Sequence, residues 1–210
     1  DLLDEAARLK GRLTGRLRLG VGGNTTHAAV GTLVSALAER APEVEVSLRH
    51  ATSREVLAGL TGGGLDAGVF HEGGEVAPTL TVVEVARFRT WVVAPRGRPG
   101  AAEAPDWSAL AALPWIYPPA SACCGRTAEA LFARHGFRPT RVVSVDREDV
   151  ARSLVASGLG VGLLHEPTAR QAKRRGELDL VAEAPGEVRV LFGALSNRLD
   201  EPLLAEAFAI

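Results

Sequence analysis

Between Arg16 and Phe70, runs with an apolar residue at every second position alternate with stretches of helical spacing. That alternation constrains the fold more than any other feature of the chain. "RLRLGV" puts Leu17, Leu19 and Val21 on one side of an extended strand. "GGNTTH" then supplies small and capping residues, and Ala28 to Arg40 reads as a helix with Val30, Leu33, Val34 and Leu37 turned inward, stopped by Pro42. "EVEVSL" alternates again, with Val44, Val46 and Leu48 on one face. Thr52 and Glu55 have capping-box spacing for a helix that carries Val56, Leu57 and Leu60. Gly62, Gly63 and Gly64 close this helix before a short strand from Leu65 to Phe70. Strand–helix–strand–helix–strand order predicts a parallel sheet with right-handed crossovers.

The second half repeats the plan. "TLTVVEVARFRTWVVA" is strand-like and runs into a Gly/Pro-rich break from Pro95 to Pro105, which reads as a boundary between lobes. Asp106 can cap a short helix through Leu113, and "WIYP" is a compact strand. Ser121 is placed to cap a helix ended by Gly136, and "RVVSV" follows as a strand. Asp146 and Asp149 open a helix that Gly158 ends, "GVGLL" is a buried strand, and Pro167 fits the first turn of another helix. "EVRVLFGAL" is a last strand, and Glu201 to Phe208 a closing helix. The expected fold is α/β, with two Rossmann-like lobes. Two open lobes of this kind bind ligands in a central cleft, at strand carboxyl ends and helix N-termini.

At 210 residues the chain can bury about 70% of the surface its unfolded form exposes, so it needs no staple. Its 46% hydrophobic and 23% charged residues are those of an ordinary globular protein. No apolar run approaches the ~20 residues of a membrane-spanning helix. A net charge of −1 argues against this chain gripping a nucleic-acid backbone by itself, and the cluster Lys173, Arg174 and Arg175 reads as a solvated helix end. Methionine is absent, which fits a fragment of a longer chain or a processed mature protein. In the opening "DLLDEAARLKGRL", Leu2, Ala6, Leu9 and Leu13 form the seam of a helix that packs on a partner helix.

"GRLRLGV" followed by "RAPEVEVSLRHATSREVLAGLTGGGLDAGV" resembles the start of the effector-binding domain of LysR-type transcriptional regulators. "LPWIYPPAS", "LFARHGFRPTRVVSVDREDVARSLVASGLGVGLLHE" and "RRGEL" are similar to its second lobe, in the same order. The resemblance covers nearly the whole chain from Gly15 onward. It implies a periplasmic-binding-protein type 2-like fold. Residues 1–14 would then be the end of a linker helix, 15–93 with 188–210 lobe I, and 94–187 lobe II. It also implies a winged helix-turn-helix preceding this chain, through which alone DNA would be bound. A small-molecule effector in the cleft would change the geometry of a homodimer or homotetramer in the cytoplasm, with no membrane partner, no metal and no cofactor.

Three segments are expected at the cleft. Asn24, Thr25 and Thr26 follow the first strand, where hydroxyls and helix N–H groups can hold an anion or carboxylate, although helix capping accounts for at least one of them. Ser121 precedes Cys123 and Cys124, the only two cysteines. Consecutive Cα atoms lie about 3.8 Å apart, short of the roughly 4.4–6.8 Å that disulfides prefer, so this pair is a poor structural staple. No histidine has ligand-like spacing near the pair, and His135 sits at the far end of the same helix. Small packing residues are the simpler reading. A first-turn position can nevertheless lower a thiol pKa, which leaves a reactive or ligand-contacting thiol as the alternative. The third segment is Asp146. As a helix cap it needs no further role. The resemblance implies Ser or Thr at its position, and an acid there would favour an amine or polyol over an anion. His71 reads as a surface loop residue near the hinge, and Glu166 as a cap for the helix begun by Pro167.

Two further functions fit parts of the sequence. A processed extracytoplasmic solute-binding protein would share the fold and the missing methionine, but the charged, leucine-seamed leader fits a linker helix better. An enzyme would need a motif, and no Cys–His spacing, phosphate loop, zinc motif or Ser-centred elbow is present. "GLGVG" precedes a strand, whereas a dinucleotide fingerprint follows one. The expectation is a non-enzymatic sensor.

Overall fold

A computed structural model describes residues 13–23, 27–72, 76–97, 105–120 and 122–210, without the side chains of His27 and Cys123. The expected linker helix falls mostly on residues 1–12, outside this set. Thr14, its expected last residue, begins a strand instead.

The chain divides into two compact units, one ending at Val85 and resuming at Val190–Ile210, the other Ala86–Arg189. In the first, β1 (Thr14–Gly22), α1 (His27–Arg40), β2 (Glu43–Ala51), α2 (Ser53–Thr61) and β3 (Ala67–His71) follow the expected order. β1 lies parallel to both β2 and β3, as the crossovers require. The long strands β4 (Leu80–Pro95) and β8 (Leu178–Leu195) each contribute to both units. β8 adds antiparallel to β3, from Gly68 opposite Gly193 to His71 opposite Val190, so the strand order is β2-β1-β3-β8 and the sheet is mixed. A closing helix runs over Pro202–Phe208.

Local sequence explains how α2 starts and where it lies. Thr52 Oγ1 accepts the Glu55 N–H, and the Glu55 carboxylate accepts the Thr52 N–H at 2.8 Å, which completes the capping box. Val56 and Leu60 are fully buried and join Leu65, Phe70, Leu80 and Leu191 in the core. The helix can approach that closely because β3 carries Gly68, where a Cβ would collide with Val56. On β2 the expected inward face holds only in part, since Leu48 is 52% exposed.

The second unit contains a short helix α3 (Trp107–Ala111), then β5 (Pro114–Tyr117), α4 (Cys123–His135), β6 (Arg141–Ser144), α5 (Glu148–Ala156), β7 (Val161–His165) and α6 (Glu166–Arg174). Its strand order is β4-β7-β5-β6, with β5 parallel to β6 and β7, and β4 antiparallel to β7. Asp106 caps α3 by accepting the Ala109 N–H at 3.0 Å. Gly136 ends α4 in the left-handed region at φ 66°, which a residue without Cβ adopts without strain. β7 is buried on both faces. Val161 and Leu163 pack with Trp115, Leu131 and Phe132, and Leu164 packs with Ile116, Ala151 and Val155. A strand covered on both sides reads as an apolar run rather than an alternation, as "GVGLL" does. Lys173, Arg174 and Arg175 are exposed at the end of α6, as expected.

Candidate thiol–imidazole–carboxylate site

β7 ends at His165, which the alternation of the strand puts on the same face as Val161 and Leu163. α4 covers that face, and its second residue is Cys124. The Cys124 sulfur lies 2.9 Å from His165 Nε2, and both residues are buried, at 5% and 6% exposure. On the other side of the ring, His165 Nδ1 is 3.1 Å from Glu148 Oε1. The same oxygen accepts the main-chain N–H of His165 at 2.6 Å, and Thr168 donates its hydroxyl to Oε2 at 2.9 Å. The first turns of α4, α5 and α6 thus bring a thiol, an imidazole and a carboxylate into one line at the carboxyl end of β7.

Burial pushes the Glu148 carboxyl towards the neutral form, but the attraction of His165, its hydrogen bonds and the Thr168 hydroxyl outweigh that cost. Glu148 stays below the usual carboxylate range. That carboxylate stands against the Nδ1 edge of the ring at ion-pair distance. The ring edge meets Phe88 in a T-shaped contact with centroids 4.8 Å apart. Thr90 stands opposite His165 in the β4–β7 register, so the two side chains share one face. Thr90 is 1% exposed, and its hydroxyl has no hydrogen-bond partner among the described residues. Also among the described residues, no group of three or more His, Cys, Asp or Glu is arranged to hold a metal ion.

The sequence-derived candidates distribute unevenly. Asn24, Thr25, Thr26 and Ser121 lie outside the described residues, as does the Cys123 side chain. The residue that actually caps α4 is Ala122, with no side-chain bond. Asp146 is exposed and precedes the cap residue of α5, Arg147, so it is not the cap expected of it. Glu166 is the first residue of α6 and pairs with Arg170 one turn on, while His165 holds the cap position. His71 is not a surface loop residue. It ends β3 and is 6% exposed, because β3 is flanked by β1 and β8, and its N–H donates to Ser53 Oγ at 3.1 Å.

His165 and Glu148 are what sequence reasoning missed. His165 is 41 residues from Cys124, and Glu148 is 17 from His165. The only local signal was a histidine at the carboxyl end of an apolar strand, followed at once by a helix start.

A second buried carboxylate lies in the first unit. Asp66, 7% exposed, accepts from the Arg18 main chain and guanidinium at 2.7–3.0 Å and from Arg198 at 3.0 Å. Burial opposes its ionisation, but the bonds to Arg18 and Arg198 prevail and lower its pKa to about 2. The arginines are permanent cations, so this cluster reads as structural.

Residues 10–209 match the family described as LysR substrate binding domain. The chain is 32% identical over 163 residues to the HTH-type transcriptional regulator cbl of Klebsiella aerogenes, covering 74% of this chain and 51% of that protein. It therefore spans about half the length of this curated relative. Among solved structures, the cofactor-binding domain of the Cbl transcriptional regulator superposes with a TM-score of 0.77 at 21% identity, covering 92% of this chain and 86% of that one. The effector-binding domain of QuiR in complex with shikimate gives 0.78 at 15% identity, covering 94% and 95%.

Proposed function

The chain belongs to the LysR substrate-binding domain family and has its periplasmic-binding-protein type 2-like α/β fold, and from that premise we propose that it senses a small-molecule effector for a LysR-type transcriptional regulator. The observation that carries the reading is the family match over residues 10–209. It is supported by two compact α/β units joined through β4 and β8. In this reading residues 15–93 with 188–210 form lobe I and 94–187 lobe II. The effector touches Asn24, Thr25, Thr26, Ser121, Cys123, Cys124 and Asp146. Its binding changes the geometry of a homodimer or homotetramer in the cytoplasm, and so changes promoter binding by a winged helix-turn-helix outside this chain. The role is non-catalytic.

The alternative, an exported solute-binding protein, is disfavoured by the curated relative, which is a transcriptional regulator. A thermal-shift screen of small polar metabolites, shikimate included, with light scattering on the same samples, tests the proposal. Stabilisation by a metabolite in an oligomeric sample supports it, and Asp146→Ala should weaken that response. A monomer under all conditions favours the exported receptor, and the absence of any response to the screen counts against the sensor reading.

A further inference from the structure

The effector reading uses Cys124 only as a contact and leaves out the rest of the buried line Cys124–His165–Glu148. All of its members lie in the second unit, so it depends on nothing between the units. We propose that Cys124 is a nucleophilic thiolate that takes up small, uncharged α,β-unsaturated carbonyl compounds covalently, with His165 as proton donor and the Thr90 hydroxyl as donor to the carbonyl oxygen.

Three observations carry this assignment. A sulfur 2.9 Å from an imidazole nitrogen, whose other nitrogen meets a buried carboxylate, has the connectivity of an activated nucleophile, with Glu148 orienting the ring that accepts the thiol proton. Thr90 adds a buried hydroxyl without a partner on the face that His165 occupies, and an acceptor oxygen is what such a hydroxyl lacks. A carbonyl supplies that oxygen, whereas a peroxide or a simple alkyl halide does not. Cys124 is only 5% exposed, and α4 starts tightly against the preceding turn, since a Cβ at Gly125 would collide with the Pro119 carbonyl. Bulky and charged reagents are therefore excluded. Other charges on the elements around the sulfur are exposed or paired: Arg126 on α4 is exposed, Arg147 pairs with Asp149, and Arg170 with Glu166.

The step balances without an oxidant or a leaving group. The sulfur lone pair forms a bond to the β-carbon, and the carbon–carbon π pair moves towards the carbonyl as an enolate held by Thr90. The Nε2 proton of His165, taken earlier from the thiol, passes to the α-carbon. The product is a thioether with the carbonyl intact. Overall, one S–H adds across one C=C bond.

The test uses the whole 210-residue chain, methyl vinyl ketone as the probe and peptide mass spectrometry as the readout. The adduct is expected on Cys124 and to persist in Cys123→Ser. Its rate should change by no more than two- or threefold between pH 6 and pH 8, where an ordinary thiol with a pKa near 8.5 changes about a hundredfold. His165→Asn should restore the steep dependence. Thr90→Val should slow the ketone about tenfold or more while leaving the rate with methyl methanethiosulfonate, which has no carbonyl, unchanged. Labelling at Cys123 alone, or an ordinary thiol pH profile in the unaltered protein, would overturn the proposal without needing any variant to fold. A Thr90→Val variant that slows both probes equally would overturn the carbonyl assignment, as would faster reaction with hydrogen peroxide than with the ketone. None of these outcomes bears on whether an effector binds between the lobes.

Discussion

Among the described residues each unit buries one carboxylate beside a central strand, and the two are satisfied by different chemistry. Asp66 is surrounded by guanidinium and main-chain donors, whereas Glu148 faces an imidazole, a hydroxyl and one main-chain N–H. Arginine stays charged across the accessible pH range and histidine does not. The first cluster therefore pairs its carboxylate with fixed cations, while the second sets its carboxylate against a ring whose far nitrogen meets a sulfur. Helix starts differ within each unit: Asp106 caps α3 in the second, and the closing helix of the first begins at Glu201 with no side-chain cap. α2 has a full capping box, but α4, α5 and α6 begin at Ala122, Arg147 and His165 with no side-chain cap.

The contrast can be broken most sharply at Asp66. Asp66→Ala removes the acceptor that Arg18 and Arg198 share and should lower unfolding free energy by about 2–3 kcal/mol in urea titrations. A loss below about 1 kcal/mol would show that the cluster is not structural. Next comes acid. Asp66 has a folded pKa of about 2 against an ordinary value of 3.8, so its contribution is complete above pH 4 and is lost as pH falls towards 2. Native stability should drop by about 2 kcal/mol over that window, and Asp66→Asn should flatten this part of the curve.

Glu148→Gln keeps the size and one acceptor oxygen but removes the charge facing His165. Thermal melts should register a loss of about 1–2 kcal/mol, smaller than at Asp66 because a neutral ring needs no counter-charge. Thr52→Ala, which removes one arm of the capping box on α2, should cost about 1 kcal/mol. The smallest change runs the other way. Ala122→Ser supplies the missing cap on α4 and should raise stability by roughly 0.5 kcal/mol, and a loss instead would mean that the first turn of α4 has no room for the hydroxyl.

What sequence could reveal depended on the distance over which the information is written. Thr52 and Glu55 are three residues apart, and Gly136 stands directly after its helix, so local spacing sufficed for both. Asp66 meets Arg18 and Arg198 across 48 and 132 residues, and Cys124 meets His165 across 41. Those meetings depend on strand order and register, which no local pattern encodes. His71 shows the error that follows. A histidine before a glycine-containing segment looks like a loop, yet its position between β1 and β8 keeps it out of water. Asp146 is the milder case, displaced from the cap position by a single residue.

Because β4 and β8 carry the chain out of the first unit and back, residues 86–189 form an insertion within it. β3 finds its antiparallel neighbour only at Val190 to Gly193. A ribosome therefore finishes the inserted unit before it finishes the host. Val69 and Phe70, apolar and destined for the interior, meet that neighbour only after about 120 further residues of translation.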